Sequence, residues 1–195
     1  MNYIRGTMKY IRNILVPTLL FTLLTPLAFS QADSSDYEAS MEGWEVDLNV
    51  AMEESQRTGK PIMANFTGTD WCGWCMRLKA AVFTTDEFKK WADDNVVLLE
   101  LDFPKRFQLP ANIAEQNAGL AQAFGVSGYP TIWVFDISMN EDTGETSVQA
   151  LAKTGYGPEP KAWIQDVETK MEAARASLNR VDSDTNSDSG TGSGE

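Results

Sequence analysis

The two cysteines of this chain, Cys72 and Cys75, stand with two residues between them in the run Trp-Cys-Gly-Trp-Cys at residues 71–75. An apolar run, Pro-Ile-Met-Ala-Asn-Phe at residues 61–66, comes shortly before. The run has the length of a buried strand. The cysteine spacing suits the first turn of a helix, where two thiols can close a small disulfide and reopen it. One pair cannot staple a scaffold, so the fold must rest on an apolar core. With 43% hydrophobic residues among 195, the chain has material for one such domain.

Histidine is absent. That removes Ser-His and Cys-His nucleophile pairs and histidine zinc sites. Two cysteines are too few for a closed structural zinc site. Neither a metal nor a bound organic cofactor is expected. Catalysis would have to run on thiols, carboxylates, lysines or backbone groups.

Residues 1–30 read as an export signal. Arg5, Lys9 and Arg12 form a basic start, and an apolar segment interrupted by Pro17 and Pro26 follows over residues 14–29. Ala28, Phe29 and Ser30 fit a cleavage site, with Ser30, Gln31 and Ala32 as a second choice. The segment is shorter than the roughly 20 apolar residues of a comfortable span, so cleavage is favoured over an uncleaved anchor. Both place the remainder outside the cytoplasm, in a periplasm or secreted. The first acid is Asp33, so loss of the leader's three cations takes the net charge from −12 to −15. Such a surface repels nucleic acid and anionic lipid and suits a soluble protein, expected as a monomer, with protein partners.

Residues 31–43 are expected to be a flexible lead-in, residues 44–180 the domain, and residues 181–195, acidic and rich in Ser and Gly, a disordered tail. Within the domain Asp47 caps a helix carrying Leu48, Ala51 and Met52 that stops near Gly59. A strand over 61–66 leads into a helix over 71–82, then one opened by a Thr84–Glu87 capping box with Phe83 and Phe88 as a staple. Residues 96–102 are apolar almost throughout and predict a central strand. Asn112 and Glu115 open a helix burying Ile113, Leu120 and Phe124. Strands over 131–135 and 147–153 flank a hairpin turn at 142–145, and Pro160 opens a closing helix with Trp163, Ile164, Val167 and Met171 on one face. Strands separated by helices pair in parallel and the terminal hairpin is antiparallel. The fold class is α/β, a mixed sheet with helices on both faces.

Only the thiolate attacks a disulfide. The unpaired N–H groups of a helix start carry partial positive charge, and Cys72 lies there, with Cys75 one turn deeper. Cys72 is therefore the expected nucleophile and Cys75 the resolving thiol. A structural disulfide and half a zinc site are the competing readings of the pair. Trp74 is a candidate apolar lip for partners, whereas Trp71 serves equally as packing. For Asp70, the nearest carboxylate, proton transfer and helix capping both stay open. Lys105 and Arg106, in the loop after the second strand, read either as a recognition lip or as a solvated connection. The run Gly-Tyr-Pro-Thr at 128–131 leads into a strand, where proline is tolerated.

The cysteine motif after a strand, joined to Gly-Tyr-Pro-Thr at the head of the last strand pair, resembles the thioredoxin superfamily. It is most similar to exported bacterial thioredoxin-like proteins, including the C-terminal thioredoxin-like domain of periplasmic thiol:disulfide interchange reductases. Thr-Gly-Thr-Asp-Trp at 67–71 and Val-Phe-Thr at 82–84 fit that subgroup, and the likeness covers residues 44–176. It implies a cis Pro130 facing the cysteines and a Tyr129 backbone that pairs with an extended substrate. The chain also departs from the pattern. Asn65 stands where cytoplasmic thioredoxins carry a buried aspartate, Gly-Trp replaces Gly-Pro between the cysteines, and Ala80 replaces the kinking proline.

The expectation is an exported oxidoreductase that exchanges disulfides with protein substrates, reductive or isomerising because the histidine of strong oxidants is missing. It would draw electrons from a membrane-bound redox partner. The alternatives are a disulfide-donating oxidase using the same pair and a non-catalytic thioredoxin-fold binding module.

Overall fold

The computed structural model describes residues 37–139, 143 and 145–188. The leader, part of the lead-in, half of the hairpin turn and the last residues of the tail lie outside that range. Among the described residues, no helix is long and apolar enough to cross a membrane.

Helix α1 (Leu48–Thr58) starts where the Asp47 carboxylate accepts from the Asn49 N–H at 2.8 Å, and ends at Gly59 with φ 72°. That left-handed turn favours glycine. Strand β1 (Ile62–Thr67) follows, buried at every position. Helix α2 (Gly73–Leu78) runs into a π-helical segment, Lys79–Phe83, then helix α3 (Asp86–Asn95), strand β2 (Val97–Asp102) and helix α4 (Ala111–Ala123). Strands β3 (Thr131–Met139) and β4 (Thr146–Thr154) precede helix α5 (Pro160–Asp188). The sheet order is β2-β1-β3-β4. Strands β1 and β2 are parallel, and the other pairings are antiparallel.

Alternation along β1 builds two cores. Ile62, Ala64 and Phe66 pack with Val97, Leu99 and Leu101 of β2 against α1 and α4. On the opposite face Met63 joins Ile132, Val134 and the helices α3 and α5, which bury Phe88, Trp91, Trp163, Ile164 and Val167. Burying each such side chain is worth about 1.5–3 kcal/mol. Farther along that second face the pattern changes. Asn65 and Thr67 pair in register with Glu100 and Asp102, and all four are buried. Polar groups thus replace core at the end of the sheet nearest the cysteines.

Three expectations are corrected. Strand β2 lies at the sheet edge, not the centre. Its apolar run reflects two covered faces, and its outer edge is partly paired by Glu45, which donates to the Leu98 carbonyl at 2.9 Å and accepts from the Glu100 N–H at 2.8 Å. The cap of α3 is Thr85, whose hydroxyl accepts from the Phe88 N–H at 3.2 Å. The wide π turn uses Thr84 as its own terminus and moves the start by one residue. The helix predicted over 71–82 is an α turn beginning at Gly73 followed by π geometry. Helix α5 runs on to Asp188, through the first residues of the segment expected as a tail. Extending a formed helix needs no new nucleus, and an acidic run without apolar residues does not stop it.

Candidate active site

Strand β1 ends in a loop that delivers Cys72 to the head of α2. Cys72 is itself the N-cap of that helix, and its Sγ accepts from the Cys75 N–H at 3.2 Å. A disulfide joins Cys72 and Cys75, with Cα atoms 5.2 Å apart. Cys75, expected to be the deeper, is 5% exposed against 6% for Cys72, so burial hardly separates them. What separates the two sulfurs is the backbone donor on Cys72, which favours negative charge there.

Because Cys72 takes the cap position, Asp70 does not cap α2. Its carboxylate accepts instead from the backbone N–H groups of Lys105, at 3.0 Å, and Arg106, at 2.6 Å. Asp70 therefore ties the loop before the cysteines to the loop after β2. Trp71 strengthens the same tie. Its indole N–H donates to the Phe103 carbonyl at 2.8 Å, and the Lys105 ammonium lies 3.6 Å from its ring centre. Lys105 is thus engaged by the cysteine loop as well as charged. Gly68 is needed beneath this ring, since a Cβ there would come within 2.6 Å of the indole.

Trp71 also reaches the third loop of the site. Its ring meets Tyr129 edge-on at 5.9 Å, and Tyr129 stacks on Phe103 at 5.1 Å. The Tyr129–Pro130 peptide is cis, and the Thr131 hydroxyl donates to the Gly128 carbonyl at 2.8 Å. Burial, with Asp102 nearby, raises the pKa of the Tyr129 hydroxyl. Trp74 points outward, 53% exposed, and packs against the exposed Tyr156 ring at 4.8 Å, with the Arg77 guanidinium 4.6 Å from its own ring centre. Tyr156 follows β4 and carries no sequence signal that links it to the cysteines.

Behind the pair, Cys75, Asn65, Thr67, Lys79 and Glu100 line an open cavity of about 420 Å³. The Asn65 side-chain oxygen has no protein partner. Glu100 is buried, and its two oxygens accept from the Ser40 N–H at 2.7 Å and the Ser40 hydroxyl at 2.6 Å. Desolvation, and to a smaller degree Asp102, raises the Glu100 pKa, while the Ser40 hydrogen bonds and the Lys79 charge oppose that shift. Sequence reasoning missed Glu100. The signal available was a charged residue between Leu99 and Leu101 in a largely apolar strand.

This architecture defines a class. Residues 43–136 match the model of the thioredoxin-like family. Among individual proteins, the chain is 31% identical over 108 residues to the Disulfide bond reductase DsbH of Chlamydia pneumoniae, covering 55% of this chain and 60% of that protein. It is 36% identical over 89 residues to the Thiol:disulfide interchange protein DsbD of Yersinia pestis (strain Pestoides F), covering 46% of this chain and 13% of that one. A solved structure of a DsbH oxidoreductase aligns with TM-score 0.57 and 26% identity, over 71% of this chain and 96% of that one. The matched segments thus span less than two thirds of both sequence relatives. The likeness to interchange reductases inferred from the cysteine and Gly-Tyr-Pro-Thr runs holds.

Proposed function

We propose that the protein is an exported thiol–disulfide oxidoreductase that reduces or isomerises disulfides of protein substrates through Cys72 and Cys75. The observation that carries this reading is the Cys72–Cys75 disulfide at the head of α2, with a backbone donor on the Cys72 sulfur. In the dithiol form that donor favours the Cys72 thiolate. The thiolate attacks a substrate disulfide; one substrate sulfur leaves with the electron pair, and a mixed disulfide forms on Cys72. Cys75 then attacks Cys72, and the second substrate sulfur departs. The protein's two thiols become its disulfide and the substrate's disulfide becomes two thiols. A reductant must restore the pair, and a membrane-bound thiol carrier fits a site outside the cytoplasm. The basic, apolar start of the chain supports export.

Around the sulfurs, Trp74 with Tyr156 offers an exposed aromatic rim for an unfolded or extended partner. Tyr129 and Pro130 form the opposite wall, held to the cysteine loop by Trp71. Trapping tests this reading. With Cys75→Ala the mixed disulfide cannot resolve, so protein adducts sensitive to reductant accumulate on Cys72. A Cys75→Ala protein that captures no partner from an envelope extract, while Cys72 alkylates freely, defeats the proposal.

A further inference from the structure

Resolution of the mixed disulfide needs the Cys75 thiolate, so the Cys75 proton must leave from a covered position. The strand residue behind it, Asn65, cannot take a proton at neutral pH. Three carboxylates lie near the site, each of them held by hydrogen bonds, and what distinguishes them is the cavity beside Cys75. Asp70 is held by the N–H groups of Lys105 and Arg106. Asp102 is held by the Thr69 N–H and hydroxyl and by the Phe103 N–H. Glu100 is the carboxylate among the residues that line the cavity with Cys75.

We propose that Glu100 accepts the Cys75 proton, through water in the cavity they share, when Cys75 attacks the mixed disulfide on Cys72. The inference rests on the reading of Cys75 as the resolving thiol. The cavity of about 420 Å³ has room for several waters, and the unpartnered Asn65 oxygen offers them an acceptor along its wall. In the step, the Cys75–Cys72 bond forms and the Cys72–substrate bond breaks. The substrate sulfur takes the electron pair, and the Cys75 proton passes to the Glu100 carboxylate and then to solvent.

The surroundings of Glu100 suit that task. A carboxylate raised by burial holds a proton more readily than an exposed one and lies closer to a thiol in acidity. Its polar and charged neighbours come from several elements. Asp102 lies on the same strand and Lys79 on the π segment, with Tyr37 and Ser40 on the lead-in and Asn65 on β1. Lys79 donates to the Ser40 carbonyl at 2.8 Å and its hydroxyl at 3.2 Å, and Ser40 donates onward to Glu100. The lead-in expected to be flexible therefore supplies the clamp on the acceptor.

The experiment follows the reduced protein with dithiobis-nitrobenzoate. The first thionitrobenzoate released reports attack by Cys72, and the second reports attack by Cys75. Glu100→Gln keeps an acceptor for the Ser40 N–H. Its second phase should be slower on the order of tenfold to a hundredfold near neutral pH, recovering at alkaline pH, with the first phase unchanged. Asn65→Asp in the Glu100→Gln background returns a carboxylate to the same cavity and should restore the second phase. Ser40→Ala removes a donor from the carboxylate and should move the low-pH limb of the second phase upward. A second phase with an unaltered pH profile in Glu100→Gln overturns the proposal, and so does an unmoved limb in Ser40→Ala should Glu100→Gln fail to fold. Loss of the first phase in the wild-type protein would instead defeat the underlying reading of the cysteines.

Discussion

The indole of Trp71 meets the ring of Tyr129 edge-on, with centroids 5.9 Å apart. The contact links the residue before Cys72 to the residue before Pro130, so two loops distant in sequence share one wall. Trp71→Phe keeps the ring and removes the N–H that serves the Phe103 carbonyl. It should cost about 1 kcal/mol in urea unfolding. Gly68→Ala forces a methyl into the same ring and should cost about 1–3 kcal/mol, with a shift in tryptophan fluorescence.

Trp74 and Tyr156 are exposed and touch each other. Trp74→Ala should therefore change stability by no more than about 0.5 kcal/mol. Its effect should fall on partner recognition. KM for a protein disulfide rises, while the rate with a small aromatic disulfide stays as it was. Parallel steady-state assays on the two substrates check this.

The raised pKa of Glu100 carries a definite sign for stability. The folded state binds this proton more tightly than the unfolded chain. Stability is therefore greatest below the ordinary glutamate value of 4.5 and falls as pH rises from there to the raised value. Glu100→Gln lacks this titration. Its stability relative to the wild-type protein should grow across that window and then level off, as read by urea unfolding at a series of pH values.

Phe88 is fully buried among Trp44, Phe83, Trp91 and Trp163. Phe88→Ala should cost about 3–5 kcal/mol. The site lies at the other end of this core, so the effect should appear in unfolding midpoint before it appears in the rate of disulfide exchange at low temperature.

Much of this fold is legible in the chain because local signals and burial agree. Asp47 and Gly59 bracket α1, the apolar run after Pro61 becomes β1, and Trp163, Ile164, Val167 and Met171 give α5 its buried face. The signals that failed are those that depend on neighbours. An apolar β2 looks the same at a sheet edge as at its centre when both faces are covered. Thr84 and Thr85 are equally good caps until the π turn selects one. The role of Asp70 depended on where the Lys105 backbone would lie, and that is decided by tertiary contact. Glu100 shares the cavity with Cys75 only because β1 and β2 pair Asn65 with Glu100, a register that spacing along the chain does not reveal.

The most direct measurement is the reduction of insulin disulfides by the purified protein beside its Cys72→Ser variant, with dithiothreitol as the electron source. The wild-type protein should accelerate precipitation of the insulin B chain, and the variant should fall to the uncatalysed rate. Equal rates from both proteins would contradict exchange through Cys72.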